Sequence, residues 1–513
     1  MELLEADVVV VGFGNAALAA AITASDAGAS VIMLEKMDEE RAGGNSRVSG
    51  QVWFNPDESA GAVGYLEELN QEMSVPGDVV ATWSEEIVKN TAWIQDRAAE
   101  TEGHVVRDAD DPYGQGAEIT KINYHDEMLR MTGWEASTDE YPEFNNESGT
   151  DYYYLGPSQG YSRLWRTLRG ALETRDVAVY FGTRAVGLTR NADGRVAEVH
   201  ARSDSGEMRI FARRGVVLAA GGFENNQDMV RSFLGLPFGT PWGSPGNTGD
   251  GIKLAQTLGA DLQNMYNYMP FMGIKIPDQE VGEFVQPAGL GFMYVRKDGR
   301  RFIDETTPYR HGKVVSGGSF QLFPHQPMWT VFDETVRLAG PLAMRRENFA
   351  GGWLKQVGRY EWSEDNSREI EAGWIAKGDT IGELAANLGI DPAGLEAEIA
   401  LYNADCSRGE DSAFGRPGAA LAPIDAPPYY GYRWGNMMIA TLGGLKKDGQ
   451  ARVIDVDGHP IDGLYCAGEI SSTYAWALSG GMGIGDGLAF GRVAGRNVAA
   501  KTPLSSQHTT AVS

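Results

Sequence analysis

The chain has 513 residues, 42% of them hydrophobic and 22% charged, a globular composition long enough for two or three domains. A formal charge of −26 with no basic patch disfavours nucleic acid and anionic membrane surfaces as partners. The two cysteines, Cys406 and Cys466, make neither a disulfide framework nor an iron–sulfur or metal cluster, and the 66 glycines far exceed the usual share of about 7%.

The opening MELLEADVVVVGFG is acidic and enters a strand directly, without the basic region and cleavage site of a signal peptide. Apolar runs stay short of the roughly 20 residues a membrane span needs, so a cytoplasmic protein is expected. Asp7 to Val11 reads as a strand buried on both faces, Asn15 to Ala27 as a helix of small residues, and Ala29 to Leu34 as a second strand closed by Glu35. This sets Gly12-x-Gly14-x-x-Ala17 in a strand–turn–helix–strand context with a terminal acid, the dinucleotide-binding arrangement. Glycines permit close pyrophosphate approach, the helix N-terminus favours its charge, and Glu35 can accept ribose hydroxyls. An ordinary βαβ turn is the competing reading. The polar glycine loop from Gly43 to Gly50 is read as lying under the same dinucleotide, with Ser46 near phosphate, or else as a surface turn.

From Gly103 to Thr150 the sequence is polar, aromatic and turn-rich, and supports no assignment. Tyr161 to Thr174 reads as a helix with Leu164, Trp165, Leu168 and Leu172 on one side. Strands follow at Val177 to Phe181, Ala185 to Thr189 and Val196 to Arg202, and a buried one from Gly215 ends at a glycine pair suited to a nucleotide. Asn247, Thr248, Gly249 and Asp250 are expected to cap a helix over Ile252 to Leu258, worth about 1 kcal/mol. Between about Ala260 and Tyr432 the character changes, with MYNYMPFM, RRFIDETTPYRHG and a helical pair between Thr380 and Asn403 whose second member starts at Asp391-Pro392. Gly458 to Gly468 reads as turn, strand and glycine end, and the late stretch GEISSTYAWALSGGMGIGDGLAFG is again rich in glycine. The chain thus begins a nucleotide domain, leaves it for an insertion, and returns.

In order along the chain, GNAALAAAITASDAGASVIMLEKMDEERAGGNSRVSG, VVLAAGGFENN, GNTGDGIKLAQTLGA, DGRRFIDE, TLGGLKKDGQARVIDVDGHPIDGLYCAGE and GRVAGRN carry a resemblance. The sequence resembles the flavoproteins related to fumarate reductase and succinate dehydrogenase flavin subunits, closest in wording to tricarballylate dehydrogenase and related to the 3-ketosteroid dehydrogenases. That resemblance implies an α/β fold: a doubly wound Rossmann-type FAD domain, residues 1–259 and 433–513, interrupted by an α+β cap over residues 260–432. It implies FAD bound with Gly12, Gly14, Asn15, Ala16 and Ala17 at the pyrophosphate, and Glu35 with Lys36 at the adenosine ribose. Gly44, Asn45, Ser46 and Gly50 would follow the pyrophosphate to the flavin edge, while Ala185, Ala220, Gly221, Asn247 and Asp250 would line the cofactor. Gly468 and Glu469 would serve the ribityl chain. Ser479, Gly480, Gly481, Gly483 and Ile484 would bring backbone amides and a helix N-terminus to the ring, where reduction places negative charge.

Departures from the family pattern bear on the substrate. Fumarate-handling members carry a histidine and an arginine where this chain has Ala440 and Ser479, and a buried dicarboxylate without cations would be penalised by several kcal/mol per charge. The histidine that carries covalent FAD would fall near Arg47, and the first histidine is His104, so non-covalent FAD is expected. The family's proton-transferring arginine falls on Tyr309, with Arg310 one residue later; either would move the proton or anchor substrate, unless Arg310 is an exposed partner of Asp304 or Glu305. The steroid enzymes' late tyrosine falls on Ala477. Tyr266, Tyr268, Met269, Phe271 and Met272, with Tyr474 and Trp476, would wall an apolar pocket with a tyrosine hydroxyl as donor, or serve as ordinary core; Tyr268 and Trp476 join Tyr309 and Arg310 as catalytic candidates. His311 could assist a relay, His200, His459 and His508 read as surface, and no metal motif is present.

The expected activity is FAD-dependent interconversion of a C–C single bond and a conjugated C=C bond beside a carbonyl, as dehydrogenase or ene-reductase, on an apolar, aromatic or steroid-like ketone. The alternatives are a tricarballylate-like acid and a non-catalytic electron-transfer subunit. The electron donor or acceptor is left open, since no second nucleotide fingerprint is evident.

Overall fold

A computed structural model describes residues 1–101, 119–122, 152–155, 162–307, 312–316, 319–322, 327–343, 352–357 and 360–505. The β-branched run of β1 (Glu2–Val11) is central, and its last six side chains are buried. Helix α1 (Asn15–Asp26) returns the chain to β2 (Val31–Leu34), parallel to β1 with Val8 opposite Val31 and Val11 opposite Leu34. The expected loop after β2 contains a short helix, α2 (Gly44–Val48), which Gly43 enters at a φ of +112°.

Helix α3 (Arg163–Glu173) leads to β3 (Val177–Tyr180), which extends the parallel sheet beside β2. An antiparallel ribbon of β4 (Arg184–Arg190) and β5 (Val196–Ser203) runs into β6 (Gly206–Leu218), which returns to pair in parallel with β1. The helix α4 (Asp250–Gln256) follows. Its N-terminus departs from expectation: Gly249, at φ +71°, is the N-cap and no side chain caps it. Thr248 instead gives its hydroxyl to Asp250 Oδ1 and accepts from Lys36 Nζ.

The chain then forms β7 (Tyr268–Phe271) and an antiparallel sheet of β8 (Phe292–Val295), β9 (Trp329–Asp333), β10 (Ala376–Gly378) and β11 (Tyr429–Arg433), in the order β8-β9-β11-β10. Alternation splits its faces. Met293, Val295 and Val331 pack on the helices α5 (Ile381–Leu388) and α6 (Pro392–Arg408), whereas Phe292, Tyr294 and Phe332 join a cluster with Trp242 and Phe271.

Strand β12 (Met437–Thr441) pairs with β7. After β13 (Arg452–Ile454), β14 (Pro460–Cys466) lies parallel to β6, so the main sheet reads β13-β14-β6-β1-β2-β3 and contains both ends of the chain. The last helix, α7 (Met482–Ala500), packs on α1 through glycines: a Cβ at Gly491 would lie 2.6 Å from the Ala16 oxygen, and one at Gly495 2.5 Å from the Ala20 oxygen. No helix among the described residues is long and apolar enough to cross a membrane.

Candidate functional site

One cavity spans the carboxyl ends of β1, β2 and β6, the starts of α1 and α7, and the strands β7 and β12. Parallel strands and helix N-termini converge there because the βαβ crossover directs both to the same edge of the sheet. Gly12 has a φ of +117°, and a Cβ there would sit 2.2 Å from the Ala219 oxygen, so only glycine lets the turn pass β6. Helix α1 begins after Gly14 with no side-chain cap; Ser46 Oγ accepts from the Asn15 N–H at 2.9 Å. Asn15, 2% exposed in the cavity wall, has neither side-chain Nδ2 nor Oδ1 partnered. A buried amide with both ends unsatisfied fits a polar ligand. Helix α7 repeats the pattern: its N-cap Gly481, at φ +79°, offers no side chain, and Gly480, Gly481, Gly483 and Ile484 line the cavity. Two open helix N-termini favour bound negative charge.

Beyond α1 the wall is polar. Glu35 is held by the Met37 N–H at 2.8 Å, and burial raises its pKa against the pull of that bond and of Lys36. Lys36 reaches Asp250 at 3.0 Å and Arg184 reaches it at 2.7 Å. Burial pushes the Asp250 carboxyl up, and these two cations more than offset it, leaving its pKa lowered.

A second polar group surrounds Glu469. Asn45 Nδ2 donates to Glu224 Oε1 at 2.9 Å and to both oxygens of Glu469 at 3.2 and 3.1 Å; Asn247 Nδ2 donates to Glu224 Oε1 at 2.7 Å and to Glu469 Oε2 at 3.4 Å. Burial, then the Glu224 charge, push the Glu469 pKa up to about 8, and burial also raises that of Glu224. Sequence reading passed over Glu224, although the quoted VVLAAGGFENN contains it; a carboxylate in a turn reads as solvated.

The opposite end is apolar. Val48, Val52, Trp242, Met269, Phe271, Ile439, Ala440 and Leu478 line it, with the Trp242 and Phe271 rings stacked at 4.5 Å. Gly352, at φ +90°, admits the Trp242 indole, which a Cβ would meet at 2.5 Å. Among the described residues, the only cations in the wall are Lys36 and Arg184, both paired with Asp250, and no tyrosine lines it.

The cavity gathers Gly12, Gly14, Asn15, Ala16, Glu35, Lys36, Gly44, Asn45, Ser46, Gly50, Ala185, Ala220, Gly221, Asn247, Asp250, Gly468, Glu469, Gly480, Gly481, Gly483 and Ile484. Ala17 and Ser479 lie outside it. Ala17 is packed in the helix core, and Ser479 Oγ meets the Tyr65 hydroxyl at 2.5 Å and Met482 Sδ at 3.3 Å. Tyr268 also misses the wall, because β7 turns Met269 and Phe271 inward and leaves Tyr268 against Val230 and Met438. Trp476 is half-buried outside the wall with Lys313 Nζ 4.8 Å from its ring centre, Tyr474 donates to the Met482 oxygen, and Tyr266 donates to the Ala475 oxygen. Tyr309, Arg310 and His311 lie outside the described residues. Among the described residues no cluster of three or more metal-ligating side chains occurs.

A family model described as FAD binding domain matches residues 153–484, and another described as FAD dependent oxidoreductase matches residues 7–241. The chain is 28% identical to the 3-oxosteroid 1-dehydrogenase of Mycobacterium tuberculosis (strain H37Rv), covering 97% of this chain and 99% of the relative. Among solved structures it is similar to the 3-ketosteroid delta1-dehydrogenase from Sterolibacterium denitrificans in complex with 1,4-androstadiene-3,17-dione, with a TM-score of 0.72, 26% identity and coverage of 97% and 99%. The open conformation of a flavocytochrome c3 fumarate reductase shares the fold, with a TM-score of 0.64 at 23% identity over 97% of this chain and 78% of that one.

Proposed function

We propose, from the premise that the chain belongs to the FAD binding domain family of oxidoreductases, that it interconverts a C–C single bond and a conjugated C=C bond beside the carbonyl of an apolar, steroid-like ketone. The observation that carries this reading is the apolar end of the cavity, where Trp242, Met269, Phe271 and Leu478 offer a hydrophobic wall and the described wall has no unpaired cation. A di- or tricarboxylic acid would find no charge partner there among the described residues. Ala440 stands in that wall, and Ser479, the other position at which fumarate-handling members hold a cation, is turned toward Tyr65.

FAD fits the polar remainder. Glu35 would take the adenosine ribose, the uncapped start of α1 with Asn15 and Ser46 the pyrophosphate, Glu469 the ribityl chain, and the uncapped start of α7 the charged edge of the ring. Non-covalent attachment is supported by Arg47, which stands where a linking histidine would and lies 4.9 Å from the Trp165 ring. When bound, FAD supplies the two-electron acceptor or donor for the substrate carbon. The protein's own part is to exclude water, fix the carbonyl and move the paired proton. With no described tyrosine in the wall, proton movement falls to Tyr309 or Arg310. Residues 260–432 would roof the cofactor held by residues 1–259 and 433–513, and a reducing, cytoplasmic setting suits two free cysteines.

Photoreduced holoprotein mixed anaerobically with cyclic enones tests the reading. Rapid reoxidation by a steroidal 1,4-dien-3-one, and none by fumarate or a tricarboxylic alkene, is expected. Reoxidation by the acids alone would transfer the assignment to them, and none by either would favour an electron-carrying subunit.

A further inference from the structure

Glu224 and Glu469 accept from the same two side-chain amides, Asn45 and Asn247, and two full carboxylates there would place more negative charge than those neutral donors can hold. Asn45 Oδ1 accepts the Ser244 N–H at 2.7 Å, which fixes the orientation of that amide and points its Nδ2 at both carboxylates. Glu224 has no solvent exposure, and the half-buried Glu469 lines the cavity. The other described side chains on the pair are Asn247 and Thr441, so every neighbouring donor is neutral. The cations of the wall, Lys36 and Arg184, are both engaged with Asp250. Glycines build the enclosure: a Cβ at Gly222 would lie 2.2 Å from Thr441 Oγ1, and one at Gly243 2.1 Å from Asn45 Oδ1. Two carboxylates reached by the same amides, one buried and one half-buried, with neutral donors and no described cation on them, repel one another and are poorly solvated, so the low-energy state retains a proton.

We propose that Glu224 and Glu469 hold one proton between them, and that Glu224 is the positioning residue that keeps it there, so that Glu469 meets the cofactor as half of a singly charged pair rather than as a second full anion. This rests on the flavoprotein reading for its partner: FAD brings two phosphate charges into the same cavity, and a doubly ionised pair would add repulsion that a pair sharing one proton halves, while its free oxygens still accept from the hydroxyl chain.

The test is FAD affinity of the apoprotein against pH, with infrared spectra beside it. FAD should bind with constant affinity through neutral pH and weaken by about tenfold per pH unit once the shared proton leaves on the alkaline side. In Glu224→Gln the like charge is gone and that alkaline loss should vanish. At neutral pH the difference spectrum of wild type minus the double variant E224Q/E469Q should contain the deuterium-sensitive C=O stretch of one neutral carboxyl. An unchanged alkaline loss in E224Q, or a difference spectrum without that band, overturns the proposal. If the double variant does not fold, calorimetry of FAD binding to wild type in buffers of differing ionisation heat decides. Uptake of about one proton on the alkaline side and none at neutrality supports the pair, and no uptake anywhere overturns it. Failure of FAD to bind at any pH would instead sink the flavoprotein reading, and the infrared band would still decide the proton.

Discussion

Lys313 shows how a single buried charge sets the pH response of the folded chain. Its ammonium, 1% exposed, donates to Asn267 Oδ1 at 2.9 Å and to the Tyr268 oxygen at 3.2 Å beneath the Trp476 ring. No carboxylate among the described residues pairs with it, and burial alone lowers its pKa from 10.5 to about 7. Between those values the unfolded chain carries a proton that the folded one has released, so stability rises with pH, by up to about 1.4 kcal/mol per unit. Below the lower value both states are charged and the full burial penalty stands. Lys313→Met should therefore be more stable than wild type in mild acid, and the gap should close as pH rises through the alkaline range; urea midpoints of both proteins against pH check this, and parallel curves would refute it. Neither Lys313 nor Glu224 was legible in the sequence, because their environments come from Asn267, 46 residues before Lys313, and from Asn45, 179 residues before Glu224. Gly12, Gly14 and Glu35 could be read because the turn and the acid that give them meaning lie within one βαβ unit.

At the scale of elements, a buried ion network fixes the segment that leads into Tyr309 and Arg310. Arg301 binds Glu305 through Nε at 2.9 Å and Nη2 at 2.7 Å, and Asp411 through Nη1 at 3.1 Å and Nη2 at 3.0 Å. Arg416 reaches Glu305 at 3.3 Å and the Phe292 and Leu290 oxygens at 2.8 and 2.7 Å. Glu305→Gln leaves two buried guanidinium groups facing one carboxylate and should destabilise the protein by about 3–5 kcal/mol. Turnover should fall with it if Tyr309 or Arg310, a few residues on, moves the proton as proposed. Thr380→Ala is the control. It removes the capping box with Glu383 at the start of α5, should lower stability by about 1 kcal/mol, and should leave turnover unchanged. Denaturation midpoints and kcat/KM of the two variants check the contrast. Sequence reading found the helical pair between Thr380 and Asn403 but assigned none of the strands of this region, and periodicity cannot say which parity of a strand faces a ligand. In β7 the partner strand β12 decides that, turning Met269 inward and Tyr268 away.

For the whole molecule, the proposed cofactor site draws on segments from both ends of the chain, and the helices that join them approach most closely at glycines and alanines. Helix α7 approaches α1 closely enough that Gly495 faces the Ala20 oxygen and Gly491 the Ala16 oxygen, while β14 joins the main sheet beside β6. Glycine inside a helix is disfavoured by about 1 kcal/mol relative to alanine, so its repeated use in α7 is offset by the packing it permits. Gly495→Leu adds a branched side chain where even a Cβ would stand 2.5 Å from backbone oxygen, so α7 must move off α1. Both helix N-termini keep their sequence in this variant, and only their separation changes. The expected outcome is loss of stability by several kcal/mol together with loss of FAD affinity, whereas Gly458→Ala, in an exposed turn with open space around it, should leave FAD affinity unchanged despite its φ of +84°. Thermal melts and flavin fluorescence titrations of the two variants separate these outcomes. A Gly495→Leu protein that binds FAD as wild type does would mean that the α1–α7 contact does not set the distance between the two ends of the cofactor site.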